Sequence, residues 1–234
     1  MKLLLSSNSS IAGESYLGFA APHINDFLGT EPMKVIFIPY AAVTFSFDTY
    51  LEKVASALGK THQVIGIHQF DDKIKAIEEA DAIMVGGGNT WQLVRFLHDL
   101  NLMPCIAQKV RKGAPYVGWS AGSNVACPTL RTTNDMPIID PKGFDTLNLV
   151  PFQINPHYMD ANPDGHAGET REQRINEFIE INPSTYVVGL REVTLLKYEN
   201  ETLNLVGNRT ARIFKNGNTP IELSSGDDFN FLMK

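Results

Sequence analysis

Gly118-Trp119-Ser120-Ala121-Gly122 sets a serine between two glycines, after the apolar run Ala114-Pro115-Tyr116-Val117 and before Ser123-Asn124-Val125-Ala126, which can start a helix. This is the pattern of a nucleophile elbow. A serine on a strained strand-to-helix turn needs neighbours without side chains, and the helix N-terminus leaves backbone N–H groups free to receive a developing oxyanion. The competing reading is a Gly-rich turn that happens to contain a serine. A second glycine cluster, Gly86-Gly87-Gly88-Asn89-Thr90, lies between an apolar run and the segment Trp91 to Leu100. Its backbone N–H groups suit a phosphate cradle, but the Lys-Ser/Thr ending of a P-loop and the G-x-G-x-x-G spacing are both missing. An oxyanion hole fits better, with the N–H of Gly88 complementing that of Ala121 after the nucleophile.

A serine nucleophile needs a base, and the chain offers six histidines. His23, His62, His68 and His98 lie in or beside ordinary helix and strand segments. His157 follows the apolar run Val150 to Ile154 and emerges at the end of a strand, on the rigid element a base requires. His166 sits in Pro163-Asp164-Gly165-His166, a turn that predicts mobility, so His157 is the favoured base. A metal held by His157, His166 and Asp160 matches no defensible ligand spacing, and neither metal nor organic cofactor is expected. For the third member, Asp135 or Asp140 gives the chain order Ser, acid, His, whereas Glu192 gives Ser, His, acid. Glu192 stands two residues past the run Tyr186 to Leu190, at its carboxyl end, which favours it. The competing reading is a solvated loop carboxylate beside Arg191.

These residues need elements to position them. Leu3-Leu4-Leu5, Val35-Ile36-Phe37-Ile38, Val64-Ile65-Gly66-Ile67 and Ala82-Ile83-Met84-Val85 are apolar runs without polar alternation, the signature of strands buried on both faces. Between them Tyr16 to Leu28, Phe47 to Leu58 and Lys73 to Ala80 carry apolar residues at helical spacing, with Asp71-Asp72 placed to cap the last. Strands alternating with helices predict right-handed βαβ units, a parallel sheet with helices on both faces and ligands at the carboxyl ends of the strands. Ser120 follows the fifth strand. After a Pro- and Asn-rich stretch from Cys127 to Pro163, a helix is expected over Thr170 to Ile181 and a strand over Tyr186 to Leu190. The last forty or so residues read as antiparallel ribbons on the sheet's edge, with a hairpin turn at Asn216-Gly217. The fold class is α/β, and 1–234 reads as one domain.

With 234 residues and 43% hydrophobic content the chain can bury a substantial core. A net charge of -6 argues against nucleic acid or an anionic membrane as partner. The opening Met1-Lys2-Leu3-Leu4-Leu5 runs into Ser6-Ser7-Asn8-Ser9-Ser10, well short of the about 7 to 15 apolar residues of a secretory core. No segment approaches the roughly 18 apolar residues of a membrane span. A cytoplasmic protein is expected, in which Cys105 and Cys127 act as small hydrophobes and the Asn-X-Ser/Thr triplets at Asn8, Asn200 and Asn208 carry no glycan.

Taken together, Gly86 to Thr90, Gly118 to Gly122, Arg131-Thr132-Thr133-Asn134-Asp135-Met136-Pro137, Gln153-Ile154-Asn155-Pro156-His157 and Gly168-Glu169-Thr170-Arg171-Glu172-Gln173-Arg174 resemble the peptidase E family of α-aspartyl dipeptidases. The likeness runs from the Asn-Ser region near the N-terminus to Glu192, roughly four-fifths of the chain. It implies a fold like that of class I glutamine amidotransferases, with serine in place of their cysteine, and hydrolysis of Asp-X dipeptides. It implies a Ser-His-Glu triad on Ser120, His157 and Glu192. It also implies a substrate-binding role for Arg171, with Arg131 and Arg174 as alternatives, and for Asn89. A homodimer is compatible with it. Related cyanophycinases share the elbow but cut β-aspartyl-arginine polymers, and other members of the fold bind small molecules without turnover.

Overall fold

Three of the four runs that lack polar alternation become interior strands, because a strand covered by helices on both faces has no side left for water, while the Val64 to Ile67 run supplies a partly exposed edge strand. In the computed structural model, which describes residues 1–162, 165 and 167–234, β1 (Lys2–Ser6), β2 (Lys34–Ile38), β3 (Gln63–Gly66), β4 (Ala82–Val85) and β5 (Pro115–Trp119) form the parallel part of a seven-stranded sheet. The helices between them are α1 (Ala20–Leu28), α2 (Phe47–Leu58), α3 (Lys73–Glu78), α4 (Thr90–Asp99) and α5 (Met103–Arg111). The two-residue alternation of a strand sends Leu4, Val35, Phe37, Met84, Val117 and Trp119 into one layer with α1 and α2. Leu3, Leu5, Ile36, Ile83, Val85 and Tyr116 enter the other with α4 and α5. Asp72 caps α3, accepting from Lys75 N. The Tyr16 to Leu28 helix is shorter than expected, since Leu17 takes a left-handed φ of 57° and the helix starts only at Ala20. Nothing in the expected element list corresponds to α5, although Pro104 near its start and Ile106, Ala107 and Val110 at helical spacing are its signals.

Beyond β5 come the short α6 (Ala121–Asn124), β6 (Gln153–Tyr158), α7 (Arg171–Ile181), β7 (Val187–Arg191), β8 (Thr194–Glu199), β9 (Thr202–Gly207), β10 (Ala211–Phe214) and β11 (Ile221–Leu223). The sheet order is β3-β2-β4-β5-β1-β8-β9, so the hairpin β8–β9 pairs antiparallel on β1, as the ribbon-like C-terminal sequence suggests. The other ribbon, β10–β11, turning at Asn216-Gly217, departs from the expected single sheet. It belongs to a separate four-stranded sheet, β11-β10-β7-β6, in which β6 and β7 run parallel across α7. The free edge of β6 stays off the main sheet because side chains satisfy it. Ile154 O accepts from Asn124 Nδ2 at 3.0 Å and Thr132 Oγ1 at 2.8 Å, and Ile154 N donates to Cys127 Sγ at 3.2 Å. Cys127 is fully buried, and burial pushes its thiol far up. Among the described residues no helix is long and apolar enough to cross a membrane.

Candidate active site

Ser120 takes φ 51° and ψ −111° between β5 and α6, a conformation costly for a residue with a side chain. The turn closes only because its flanks are bare. A Cβ on Gly122 would lie 2.0 Å from Val85 O, and one on Gly118 would lie 2.4 Å from Gly122 O. The Ser120 N–H donates to Ser6 O at 3.0 Å, and Ser123 Oγ donates to the same carbonyl at 2.6 Å. The end of β1 therefore holds the elbow from below.

His157 also has a left-handed φ, 54°, at the register shift between Pro156 and Tyr158 where β6 bulges against β7. The bulge turns its ring toward Ser120. His157 Nε2 lies 2.9 Å from Ser120 Oγ and Nδ1 lies 2.8 Å from Glu192 Oε1. The imidazole thus bridges hydroxyl and carboxylate, with side-chain exposures of 41% for His157 and 46% for Glu192. Glu192 follows β7, and Val193 behind it sits at φ 67°, a strained value for a β-branched residue. Arg191 does not pair with Glu192. Its guanidinium is engaged by Asp160 and Glu222, whose hydrogen bonds hold it well above the usual arginine range.

The other carboxylates are committed elsewhere. Asp135 Oδ2 accepts from Thr90 N at 2.7 Å, Thr90 Oγ1 at 2.6 Å and Thr133 Oγ1 at 3.0 Å, occupying the N-terminus of α4. Asp140 is exposed and its Oδ1 accepts from Lys142 N at 2.9 Å. This arrangement also weakens the phosphate-cradle alternative, because Asp135 already fills the helix end that an anion would use. Asn89 caps the same helix, its Oδ1 accepting from Gln92 N at 3.1 Å while Nδ2 donates to Met136 O at 2.9 Å. Gly88 stands at φ 133°, where a Cβ would approach Ala41 O to 2.3 Å, so only glycine fits. Among the described residues, the Gly88 N–H meets no backbone acceptor and the Ala121 N–H meets none outside α6.

Ser7 and Asn8 are not among the expected site residues, yet they tie the site together. Ser7 Oγ donates to Leu190 O at 2.7 Å and accepts from His157 N at 2.8 Å. Asn8 Oδ1 accepts from Val193 N at 2.8 Å. Both are fully buried. One segment after β1 thereby supports both strained backbones. The available signal is a run of short polar residues directly after a buried strand, whose side chains can serve backbone groups.

A model of peptidase family S51 matches residues 3–206. This chain belongs to peptidase family S51. As a member it is a serine peptidase, and it is 50% identical to a Peptidase E of Nostoc sp. over all of this chain and 97% of that protein. It is 46% identical to a Peptidase E of Salmonella typhimurium, covering 98% of this chain and 100% of the relative. A solved peptidase from an acI-B1 Actinobacterium shares the fold at a TM-score of 0.69 and 17% identity, covering 97% of this chain and 96% of that one.

Beside β6 of this S51 peptidase lies a cavity of about 170 Å³ lined by Asp135, Asn155, Arg131, Arg171 and Arg174 among others. The three arginines differ. Arg131 is exposed with its guanidinium 5.0 Å from the Phe144 ring, and Arg174 is exposed with Nε 3.7 Å from Glu169. Arg171, the first residue of α7, is half-buried and makes no hydrogen bond or ion pair among the described residues. Burial, then the like charge of Arg174, pulls its pKa down, with Asp135 acting the other way. Removal from water thus disfavours its charge until an anion joins it. Of the histidines, His166 lies outside the described residues, as does any site that includes it. No group of three or more His, Cys, Asp or Glu among the described residues is arranged to hold a metal ion.

Proposed function

We propose that the chain hydrolyses dipeptides with an N-terminal α-linked aspartate, through Ser120 as nucleophile, His157 as base and Glu192 as the group that orients it. The observation that carries this is the continuous hydrogen-bonded run from Ser120 Oγ through both ring nitrogens of His157 to Glu192, at 2.9 and 2.8 Å. Ser120 Oγ attacks the aspartyl carbonyl carbon as its proton passes to His157 Nε2. The carbonyl oxygen becomes an oxyanion held by the N–H groups of Gly88 and Ala121. The C–N bond then breaks, the leaving amine takes the proton from His157, and an acyl ester remains on Ser120. Water, deprotonated by His157, attacks the ester, and Ser120 leaves with its proton restored. Glu192 keeps the Nδ1 proton in place and offsets the imidazolium charge.

Arg171 receives the aspartyl side chain, since its guanidinium offers a bidentate fork matched to a carboxylate and its half-buried site favours a bound anion. Asn89 contributes by anchoring the loop next to Gly88 that walls the substrate in. The test is a panel of X-Leu dipeptides with α- and β-linked aspartyl forms, together with β-aspartyl-arginine, alongside Ser120→Ala. Cleavage of α-Asp-Leu in preference to the rest, abolished in Ser120→Ala, is the expected result. Preference for β-aspartyl-arginine would make the chain cyanophycinase-like, and a Ser120→Ala variant keeping more than about a tenth of wild-type rate would remove Ser120 as nucleophile.

A further inference from the structure

Tyr50, on α2, is 3% exposed and sits beneath the glycine loop rather than in the reacting group of side chains. Its hydroxyl donates to Gly87 O at 2.9 Å and accepts from Trp119 Nε1 at 3.1 Å and from Tyr16 Oη at 3.1 Å. A phenol has one proton and two acceptor sites, so these three bonds use it completely. The ring is fixed edge-on against Phe37, with centroids 5.0 Å apart, and against Phe45 at 5.3 Å. Gly86 makes room for it, since a Cβ there would lie 2.6 Å from the Tyr50 oxygen.

The Gly87 carbonyl and the Gly88 N–H belong to one planar trans peptide and point in opposite directions. Pinning the carbonyl from beneath therefore aims the N–H the other way. The loop is held on either side of that peptide, by Gly86 N donating to Ile38 O at 3.1 Å and Asn89 N donating to Ala41 O at 2.9 Å. The same phenol oxygen takes the indole N–H of Trp119, the residue before Ser120, so one atom sets the glycine loop relative to the elbow. Accepting from Tyr16 also strengthens the Tyr50 hydroxyl as a donor, and polarisation passes along such a chain. Burial holds the phenol well above its ordinary range, so it remains protonated and donating.

We propose that Tyr50 is a positioning residue for the oxyanion hole, its bond to Gly87 O orienting and polarising the peptide that presents the Gly88 N–H. This rests on the serine mechanism above. A group acting only on that donor affects the tetrahedral state and leaves ground-state binding alone. Tyr50→Phe removes the hydroxyl and keeps the ring. The expected result is a loss of about 10- to 100-fold in kcat with little change in KM, somewhat less than the removal of a donor outright. The inhibition constant of an aspartyl aldehyde, whose carbon is added to by Ser120 Oγ and whose oxygen enters the hole, should rise by the same factor. Binding of intact dipeptide, compared between Ser120→Ala and the Ser120→Ala/Tyr50→Phe double variant, should be unchanged. Unaltered kcat, or dipeptide binding weakened as much as aldehyde binding, would overturn the proposal. Should Tyr50→Phe fail to fold, Tyr16→Phe tests the outer bond, with about a 2- to 5-fold loss in kcat matched by the aldehyde constant. No change in either quantity would then dispose of the relay. A Ser120→Ala variant that still turns over would instead refute the serine mechanism, and the two failures are told apart.

Discussion

At the scale of single residues, the two candidate acids are distinguished by what else holds them. Among the described residues Glu192 meets His157 alone, whereas Asp135 accepts three hydrogen bonds at the start of α4. Glu192→Gln should lower kcat by roughly 10²- to 10⁴-fold with KM little changed, because the amide no longer favours the productive tautomer or the imidazolium. Asp135→Asn should cost about 1 kcal/mol of stability, through the lost helix-end charge, and only a few-fold in rate. Kinetics of both variants with thermal melts decide the matter, and reversed magnitudes would transfer the role to Asp135. Ser7 offers a second prediction. Ser7→Ala leaves the His157 N–H and Leu190 carbonyl without their buried partner, so stability should fall by about 1 to 3 kcal/mol. As the bulge relaxes, kcat should fall on the order of tenfold more than binding. Full activity in a destabilised variant would mean that Ser7 only stabilises the fold.

At the scale of elements, the second sheet carries His157 on β6 and, just past the end of β7, its hydrogen-bond partner Glu192, and a charged network staples its strands. Arg191 of β7 and Arg212 of β10 converge on Glu222 of β11, and Arg191 also reaches Asp160 beyond β6. Burial pushes the Glu222 carboxyl up, but bonds from Arg191, Thr210 and Arg212 outweigh it and hold the group at about 2, below the usual 4.5. A depressed carboxyl contributes stability that is complete above its unfolded value and is lost as pH falls toward its folded one. The window is therefore about pH 4.5 to 2. Glu222→Gln should be less stable at neutral pH by about 1 kcal/mol or less, since the partly exposed pair is screened. Its stability should also fall less steeply across that window. Denaturant titrations at several pH values measure both, and parallel curves for variant and wild type would count against the network.

At the scale of the whole molecule, a net charge of -6 sets a background hostile to the acidic substrate proposed, so its recognition would have to be local. The arginine cavity is assembled from the segment after α6, from β6 and from α7, which are far apart in the chain. Arg171→Met should cost Asp-Leu cleavage about 2 to 5 kcal/mol of transition-state stabilisation, the range for unpairing a buried charge. Asn-Leu, similar in shape but uncharged, should be a poor substrate of the wild type and lose far less. Steady-state kinetics on both dipeptides test this, and equal losses would make Arg171 structural, with Arg131 the next candidate.

The elbow, the glycine loop and the parallel strands were legible in the sequence because each depends on local chemistry. Glycine is required where backbone packs on backbone, and unbroken apolar runs are required where helices cover both faces of a strand. His157 and Glu192 were legible as candidates for the same reason, each standing at the carboxyl end of an apolar run. Which of Glu192 and Asp135 meets the imidazole was a matter for tertiary structure, since hydrogen-bond partners 35 residues apart have no signature in spacing. So was the placing of β6 and β7 in their own sheet, which depends on side chains of Asn124, Thr132 and Cys127 satisfying a strand edge. The parts played by Ser7, Asn8 and Tyr50 are equally invisible in one dimension. A serine, an asparagine or a tyrosine can bond almost anywhere, and only the folded chain fixes which backbone group each one meets.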